Sequence, residues 1–457
     1  MSKLTYEKLK LPKYVNNNTA VRLRVKVKGK SKIINLSFTD VVYAAELAEL
    51  NMLAVSDTGK GKTQLMTDIA WHHFGGDEEC GNANWADGRP AFDITDLFEK
   101  SEVDLSSGRF NSDDVRKIKE DKTRRSFNAV DEINAAPGPK QFDFFDLADG
   151  KYTFNGRRLR LGHDDYSLFM ATANLNKRNG HDEQFHGTFA LNRALLNRAH
   201  LTLDLDHKDF RPTPDDELEI EERKTNPKVD IPEPQDISKE IIEANKKIRE
   251  QVGALDPYMS AFRFVIGRGL DYCDKDQYKD KEVFPMLCGD CNFAGKDLCS
   301  LVKSSSERTI TAVKALAYAL SYIVELKTGE KIEVDPLDAA LQAFRFTTYH
   351  GNLNDIVAEE KYGDRKQAMM NDTVAKLSER VDILRPYIPI ILNGHEPVVV
   401  KYNLPKKGEQ ATARTEGLLK HLTEIKIPFR ETDLRTELKG VGTDWIDSYV
   451  KKFGNKQ

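Results

Sequence analysis

A short loop between a strand and a helix constrains the fold of this chain more than any other sequence feature. The loop reads Ser56-Asp57-Thr58-Gly59-Lys60-Gly61-Lys62-Thr63, after the apolar run 52–55 and before a helical pattern over residues 64–73. This order is the context of a Walker A loop, whose backbone N–H groups surround a phosphate. The first glycine of that pattern is Ser56 here, and serine fits the turn when its φ is negative. The sequence therefore predicts a phosphate site in an α/β sheet.

The residues of this loop have separate predicted roles. Those expected to contact a nucleotide are Asp57, Thr58, Gly59, Lys60, Gly61, Lys62, Thr63 and Gln64. Lys62 is expected to reach the β- and γ-phosphates, and the Thr63 hydroxyl to bind Mg²⁺. An apolar strand that ends in acid, at residues 127–132, supplies the second half of such a site. Asp131 is predicted to hold Mg²⁺ through water, and Glu132 to polarise an attacking water.

Length and composition limit the class of protein. The chain has 457 residues, enough for several domains at about 100–200 residues each. Hydrophobic residues make up 39% and charged residues 31%, the balance of a folded protein. A net charge of −4 excludes nucleic-acid binding driven by bulk charge. The start of the chain is polar and no long apolar run stands out, so we expect a cytoplasmic protein without a membrane span.

Changes in periodicity and proline content predict the domain organisation. Alternating apolar and basic residues at 21–27 indicate a strand of a hairpin. Prolines are concentrated at 210–235 and again at 386–397, where we expect connections. The predicted parts are a hairpin region (1–36), an α/β core (37–206), a helical region (207–350) with a cysteine-containing insertion (271–300), a helical linker (351–400) and a small winged-helix-like domain (401–457).

Several motifs together resemble one known family. The sequence Asp131-Glu132-Ile133-Asn134-Ala135-Ala136-Pro137, followed by Gln141, resembles the MoxR branch of the AAA+ ATPases. Four further segments resemble parts of that branch in the same order: a hairpin at 149–159, a sensor 1 strand at 169–174, an arginine-finger position at 195–198 and a sensor 2 helix start at 306–308. The resemblance covers roughly residues 37–346 and implies a P-loop AAA+ core with a helical lid.

The resemblance also implies roles for four residues outside the P-loop. Asn174 would position the lytic water, and Arg308 would contact the γ-phosphate of its own subunit. Arg198 would act on the γ-phosphate of a neighbouring subunit, with Arg193 as the nearby alternative. An arginine supplied by a neighbour makes hydrolysis depend on assembly, so a homo-oligomer, a hexameric ring, is implied.

The function implied by the resemblance is the ATP-driven remodelling, assembly or maturation of a protein client. In this family the partner often carries a von Willebrand A domain, and the hairpin at 150–161 would contact the client. A nucleic-acid motor is the alternative, because helicase-type branches share this core and a winged helix binds either DNA or protein.

Four of the five cysteines lie close together. They are Cys273, Cys288, Cys291 and Cys299, with the spacing C-x14-C-x2-C-x7-C. Four thiolates complete either a tetrahedral Zn²⁺ site or a 4Fe–4S cluster. Zinc sites more often pair two C-x2-C units, whereas one pair with two single cysteines occurs with iron–sulfur clusters in some nucleic-acid enzymes. The sequence is therefore consistent with three alternatives: an iron–sulfur cluster, a zinc site, or cysteines that are reduced or disulfide-bonded.

Overall fold

The computed structural model describes residues 3–77, 81–101, 116–174, 189–224, 228–254, 256–267, 298–347, 352–363, 365–384, 399–400 and 411–412. The chain divides into two compact units. The first comprises Met1–Ala254 and Thr311–Gly351, and the second comprises Leu255–Ile310 and Asn352–Gln457. Most of the predicted insertion and of the predicted C-terminal domain lies outside the described residues.

The strands and α-helices of the two units are numbered in chain order. The strands are β1 (Thr19–Val27), β2 (Lys30–Ser37), β3 (Met52–Val55), β4 (Ala83–Asp87), β5 (Glu99–Ser101), β6 (Arg116–Ile118), β7 (Phe127–Asp131), β8 (Lys151–Phe154), β9 (Arg157–Arg160), β10 (Leu168–Ala173), β11 (Leu201–Asp204), β12 (Glu333–Val334), β13 (Val399–Val400) and β14 (Ala411–Thr412). The α-helices are α1 (Tyr6–Leu9), α2 (Phe38–Leu47), α3 (Lys62–Asp68), α4 (Ile94–Phe98), α5 (Glu120–Thr123), α6 (Asp143–Ala148), α7 (Arg193–Leu196), α8 (Pro214–Arg223), α9 (Ser238–Gly253), α10 (Pro257–Gly267), α11 (Leu298–Leu301), α12 (Glu307–Thr328), α13 (Pro336–Thr347), α14 (Asp355–Tyr362) and α15 (Lys366–Leu384).

A five-stranded parallel sheet forms the centre of the first unit. Its strand order is β11-β3-β10-β7-β4, and every neighbouring pair is parallel. Each residue of β3 and β10 is buried, as expected for strands that are covered on both faces. The predicted α/β class, a parallel sheet flanked by helices that carries the P-loop, is confirmed. The carboxyl ends of the strands lie at one edge, where ligands bind in sheets of this kind.

Alternate residues of the strands face two separate apolar layers. On one face, Val55, Val130 and Phe169 belong to a buried cluster that also contains residues of α4, α6 and α7. On the other face, the ring of Phe127 stacks on Phe74 with the ring centroids 5.0 Å apart. Both faces of the sheet are therefore packed against apolar side chains.

The polar residue inside β7, Asn128, is part of a hydrogen-bonded row across the sheet. Its Oδ1 accepts from Asn84 Nδ2 at 3.0 Å, and its Nδ2 donates to Ser167 Oγ at 3.2 Å. A buried amide costs little when its donors and acceptors are paired. The strand assignment at 127–131 is thus correct despite the polar residue.

The N-terminal hairpin belongs to a separate antiparallel sheet with the order β12-β1-β2. Its turn has positive φ at Lys28 (51°) and Gly29 (76°), the geometry of the tight hairpin turns that match strand twist. Helix α2 follows directly and begins with a capping box, in which Ser37 and Asp40 each bond to the other's backbone N–H.

The second unit contains α10, α11, α14 and α15. The side chain of Asn354 donates to Ser300 O at 3.1 Å, and Lys303 N–H donates to Asn352 O at 2.6 Å. These bonds join α11 and the segment after it to the residues that precede α14. Among the described residues, α12 is long and apolar enough to cross a membrane by length and composition, and 56% of its most apolar window is buried inside the protein. Core helices pass the same test.

Candidate nucleotide and magnesium site

The loop between β3 and α3 has backbone conformations that suit its glycines. Gly59 and Gly61 have φ values of 77° and 83°, in the region that favours glycine. Ser56, the departure from the glycine pattern, is absent from the described residues with positive φ, so serine fits this turn without strain. The N–H groups of Gly59, Lys60 and Gly61 have no acceptor within the part of the chain that the structure describes. They are available to an anion at the start of α3.

Lys62 is buried and bonded to the loop that precedes it. Its ammonium donates to Ser56 O at 3.0 Å, to Ser56 Oγ at 2.9 Å and to Asp57 O at 2.8 Å. Burial lowers the pKa of Lys62 below its ordinary value, although nearby carboxylates, Asp206 and Asp131 foremost, act in the opposite direction. Asp206, which the sequence analysis missed, also accepts from Asp57 N–H at 2.7 Å and fixes the start of the loop.

Gln64 makes its contacts away from the loop. Its side-chain amide exchanges two hydrogen bonds with the backbone of Asp230, at 2.7 and 2.9 Å, and donates to Asp68 Oδ1 at 2.8 Å. The connecting segment after α8 is thereby held against helix α3.

The two predicted magnesium ligands lie side by side. The Thr63 hydroxyl is 3.2 and 3.3 Å from the two carboxylate oxygens of Asp131, at the end of β7. A hydroxyl and a carboxylate are the hard oxygen ligands that Mg²⁺ prefers, and the ion usually keeps several waters besides one or two such groups. The residues present therefore fit a magnesium ion next to the P-loop.

Thr172 of β10 connects Asp131 to Glu132. Its hydroxyl donates to Asp131 Oδ1 at 2.5 Å and accepts from the Glu132 N–H at 2.8 Å. Thr172 is fully buried, so water does not replace either bond. The sequence analysis did not single out Thr172, although a hydroxyl inside the apolar run 169–173 was the available signal.

Glu132 has a left-handed backbone conformation with φ 51° and ψ 46°, which is uncommon outside glycine. Gly88, directly after β4, packs against it and donates its N–H to Asp131 O at 2.8 Å. A Cβ atom at Gly88 would lie 2.2 Å from Glu132 O, which is too close for any side chain. Two neighbouring strands thus fix the Glu132 backbone.

Asn174 follows β10 and is joined to the segment after Glu132. Asn134 donates its side-chain amide to Asn174 O at 2.6 Å and accepts from Asn174 N–H at 3.2 Å. Since β10 lies between β3 and β7, these bonds place Asn174 at the same edge of the sheet as the P-loop and Asp131.

Gln141 connects this edge to the segment that carries Arg198. Its Nε2 donates to Ala136 O and Ala190 O at 3.0 and 3.1 Å, and its Oε1 accepts from Asn192 N–H at 2.7 Å. Asn192 in turn caps α7. Gln141 is fully buried, so these bonds define the path of the chain into α7.

Arg198 is bonded to groups of its own subunit. Its Nε and Nη2 donate to the two oxygens of Asp149 at 3.0 and 3.1 Å, and its guanidinium lies 4.8 Å from the centre of the Phe145 ring. Burial alone would raise the pKa of Asp149, but hydrogen bonds from Arg198 and Lys151 outweigh it and hold the pKa below its ordinary value. Arg193, one turn earlier, is exposed.

The remaining predicted residues are not brought to this edge by the described contacts. Arg308 is exposed at the start of α12, in the second unit. Cys273, Cys288 and Cys291 lie outside the described residues, and Cys299 is placed only as a position in α11. Among the residues that the structure describes, no group of three or more His, Cys, Asp or Glu side chains could hold a metal ion.

Comparisons with known proteins find distant similarity to solved structures. No protein-family model matches the sequence, and no curated protein matches it either. Among solved structures, the chain is similar to a candidate ATPase from Cytophaga hutchinsonii, at 15% identity and a TM-score of 0.47, over 73% of this chain and 88% of that one. It is also similar to a full-length MCM homologue from Methanopyrus kandleri, at 10% identity and a TM-score of 0.38, over 74% and 55% of the two chains.

Thr172→Val is expected to destabilise the fold by about 1–3 kcal/mol, because a buried donor or acceptor without a partner costs that much. The change leaves Asp131 Oδ1 and the Glu132 N–H without a shared partner. Thr172→Ser should restore most of the stability, because it keeps the hydroxyl group. Denaturant unfolding measures the difference, and a valine variant as stable as the wild type would contradict the assigned role.

Gly88→Ala is expected to destabilise the fold by about 1–3 kcal/mol, because the added methyl group must displace the backbone of Glu132. Gly138→Ala is a suitable control, since nothing lies within 4 Å of its Cβ position. Denaturant unfolding measures the difference between the two variants. Equal stability of both would show that the backbone at Glu132 accommodates the methyl group.

Proposed function

We propose that this chain is a MoxR-like AAA+ ATPase that couples ATP hydrolysis in an oligomeric ring to the remodelling, assembly or maturation of a protein client. The observation that supports it most is the contact between the Thr63 hydroxyl and the Asp131 carboxylate, next to Glu132. A P-loop alone would be consistent with nucleotide binding. The adjacent carboxylates add the groups that phosphoryl transfer to water needs.

Each residue of the proposed site has one task. The free N–H groups of the loop and the Lys62 ammonium bind the β- and γ-phosphates, and Thr63 and Asp131 hold Mg²⁺. Bound Mg²⁺ would neutralise charge on the phosphate oxygens. Glu132 accepts a proton from the attacking water, which Asn174 orients. Lys62 must leave its bonds to Ser56 and Asp57 when phosphate binds, because those carbonyl and hydroxyl groups occupy its three N–H donors.

Assembly enters the proposal through Arg198, which would act on the nucleotide of the neighbouring subunit in a hexameric ring. Arg308 would act within its own subunit. The proposed client surface is the hairpin β8–β9, where the arginines near the tip, Arg157 and Arg158, are exposed. The same proposal includes a protein partner with a von Willebrand A domain. It also includes a cytoplasmic location for this chain.

The four-cysteine segment is proposed to bind a metal, either Zn²⁺ or an iron–sulfur cluster. The spacing of Cys288 and Cys291, with two further cysteines within 16 residues, supports it. Metal analysis of protein purified without oxygen should give either about one zinc or about four irons per chain. Cys288→Ser should lower that content, and a chain without bound metal would end this part of the proposal.

Glu132→Gln is expected to keep ATP binding and to lose turnover by at least about tenfold, because the amide does not accept the proton of the attacking water. Glu120→Gln, on the surface, serves as the matched control. Single-turnover hydrolysis and nucleotide binding are measured on both variants. A Glu132→Gln protein that hydrolyses ATP at the wild-type rate would remove Glu132 from the mechanism.

The same variant identifies the client. Loaded with ATP, the Glu132→Gln protein should retain a discrete protein partner, detected by mass spectrometry and unaffected by nuclease. Retained nucleic acid that salt displaces would instead indicate the motor, since counterion release makes such binding strongly salt-dependent.

A further inference from the structure

Asp149 lies where helix α6 ends and the hairpin β8–β9 begins. Its N–H donates to Phe145 O at 2.9 Å, which closes the last turn of α6. Gly150 follows with φ 63°, and Leu161 N–H, at the far end of the hairpin, donates to Gly150 O at 2.9 Å. Backbone bonds therefore fix the position of Asp149 from both sides.

The Asp149 carboxylate orients the guanidinium of Arg198. Two nitrogens of Arg198 donate to it, and the third, Nη1, donates to Ala194 O at 3.0 Å. Guanidinium has five N–H donors, and within the part of the chain that the structure describes these three bonds leave two available to an anion. Two parallel bonds to one carboxylate restrict the orientation of a long side chain. The Arg198 side chain keeps 22% exposure, so a neighbouring molecule can reach it.

The same carboxylate also holds the base of the hairpin. Lys151, the first residue of β8, donates to Asp149 Oδ2 at 3.0 Å. At the end of β9, Arg160 pairs with Asp165 at 2.6 Å. The basic residues at the base are thus neutralised by nearby acids. Asp149 therefore bonds both to the hairpin base and to Arg198.

We propose that Asp149 is a positioning residue that orients Arg198 toward the nucleotide of a neighbouring subunit and joins that orientation to the base of the hairpin β8–β9. This inference rests on the proposed function, because it requires ATP turnover in an assembly. In this role Asp149 acts through Arg198 and is assigned no contact with the nucleotide or the attacking water. Its effect is on the direction of the two free N–H donors of Arg198.

The first experiment compares Asp149→Asn with Asp146→Asn. Asp146 lies on α6, one turn before Asp149, and is 3.8 Å from the Lys151 ammonium. Within the described part of the chain it has no hydrogen bond to Arg198, so it controls for the loss of one acid. We expect Asp149→Asn to lower turnover by roughly 10- to 100-fold with unchanged ATP affinity. Asp146→Asn should stay within about twofold of the wild type, as surface changes usually do. Wild-type or higher turnover in Asp149→Asn would overturn the proposal.

The second experiment separates the orientation of Arg198 from local damage. Lys62→Ala subunits should not hydrolyse ATP, but they keep Asp149 and Arg198. They are mixed with Asp149→Asn subunits, whose own P-loop is intact. Because head-to-tail contacts in a ring let one subunit supply its arginine to the next, Arg198 of a Lys62→Ala subunit can act on the nucleotide of an Asp149→Asn subunit. The mixture should therefore regain turnover several-fold. Loss of turnover that mixing does not restore would show a structural role and overturn the proposal. A wild-type protein without any ATP turnover would instead contradict the proposed function.

Discussion

The carboxylate of Asp131 is the group on which the geometry of the candidate site depends. It accepts from the Thr63 hydroxyl, at the start of the helix after the P-loop, and from the Thr172 hydroxyl, on the neighbouring strand. Through these bonds one side chain aligns α3, β7 and β10 at the carboxyl edge of the sheet. The hydroxyl groups also satisfy a partly buried charge, which would otherwise be costly. Displacement of any of the three elements would therefore change the place where Mg²⁺ fits.

The strained backbone of Glu132 follows from the same arrangement. A non-glycine residue in the left-handed region costs of order 1–3 kcal/mol and persists when its surroundings over-determine it. Here the N–H of Glu132 is bonded to Thr172, its carbonyl accepts from Ala135 N–H at 2.7 Å, and Gly88 packs against it. The strain is offset by these contacts. Its effect is that the backbone of Glu132 has one fixed conformation at the sheet edge.

Much of this site was predictable because its parts are local in the sequence. The strand at 52–55, the P-loop and the acidic end of β7 are each predicted from adjacent residues. The structure has strands at 52–55 and 127–131, and Gly59 and Gly61 of the loop between β3 and α3 have positive φ. Thr172, Gly88 and Asp149 were missed because their roles depend on which strands are neighbours. The contact of Gly88 with Glu132 requires β4 beside β7, and periodicity does not specify that order. The strand order is decided by packing across the sheet.

The two cations proposed to act on phosphate are bound by the protein in different ways, and the difference has a mechanistic consequence. Lys62 donates to backbone carbonyls and a hydroxyl, neutral acceptors that a phosphate readily replaces because its charge gives stronger hydrogen bonds. Arg198 donates to a carboxylate, and moving Arg198 onto a neighbour's phosphate would leave that carboxylate with Lys151 alone. Lys62 is therefore suited to move onto a nucleotide. Arg198 is suited to stay in place while a nucleotide of another subunit approaches it. The geometry of the contact between subunits would therefore control its action, and a motion of the Arg198 side chain would not be needed.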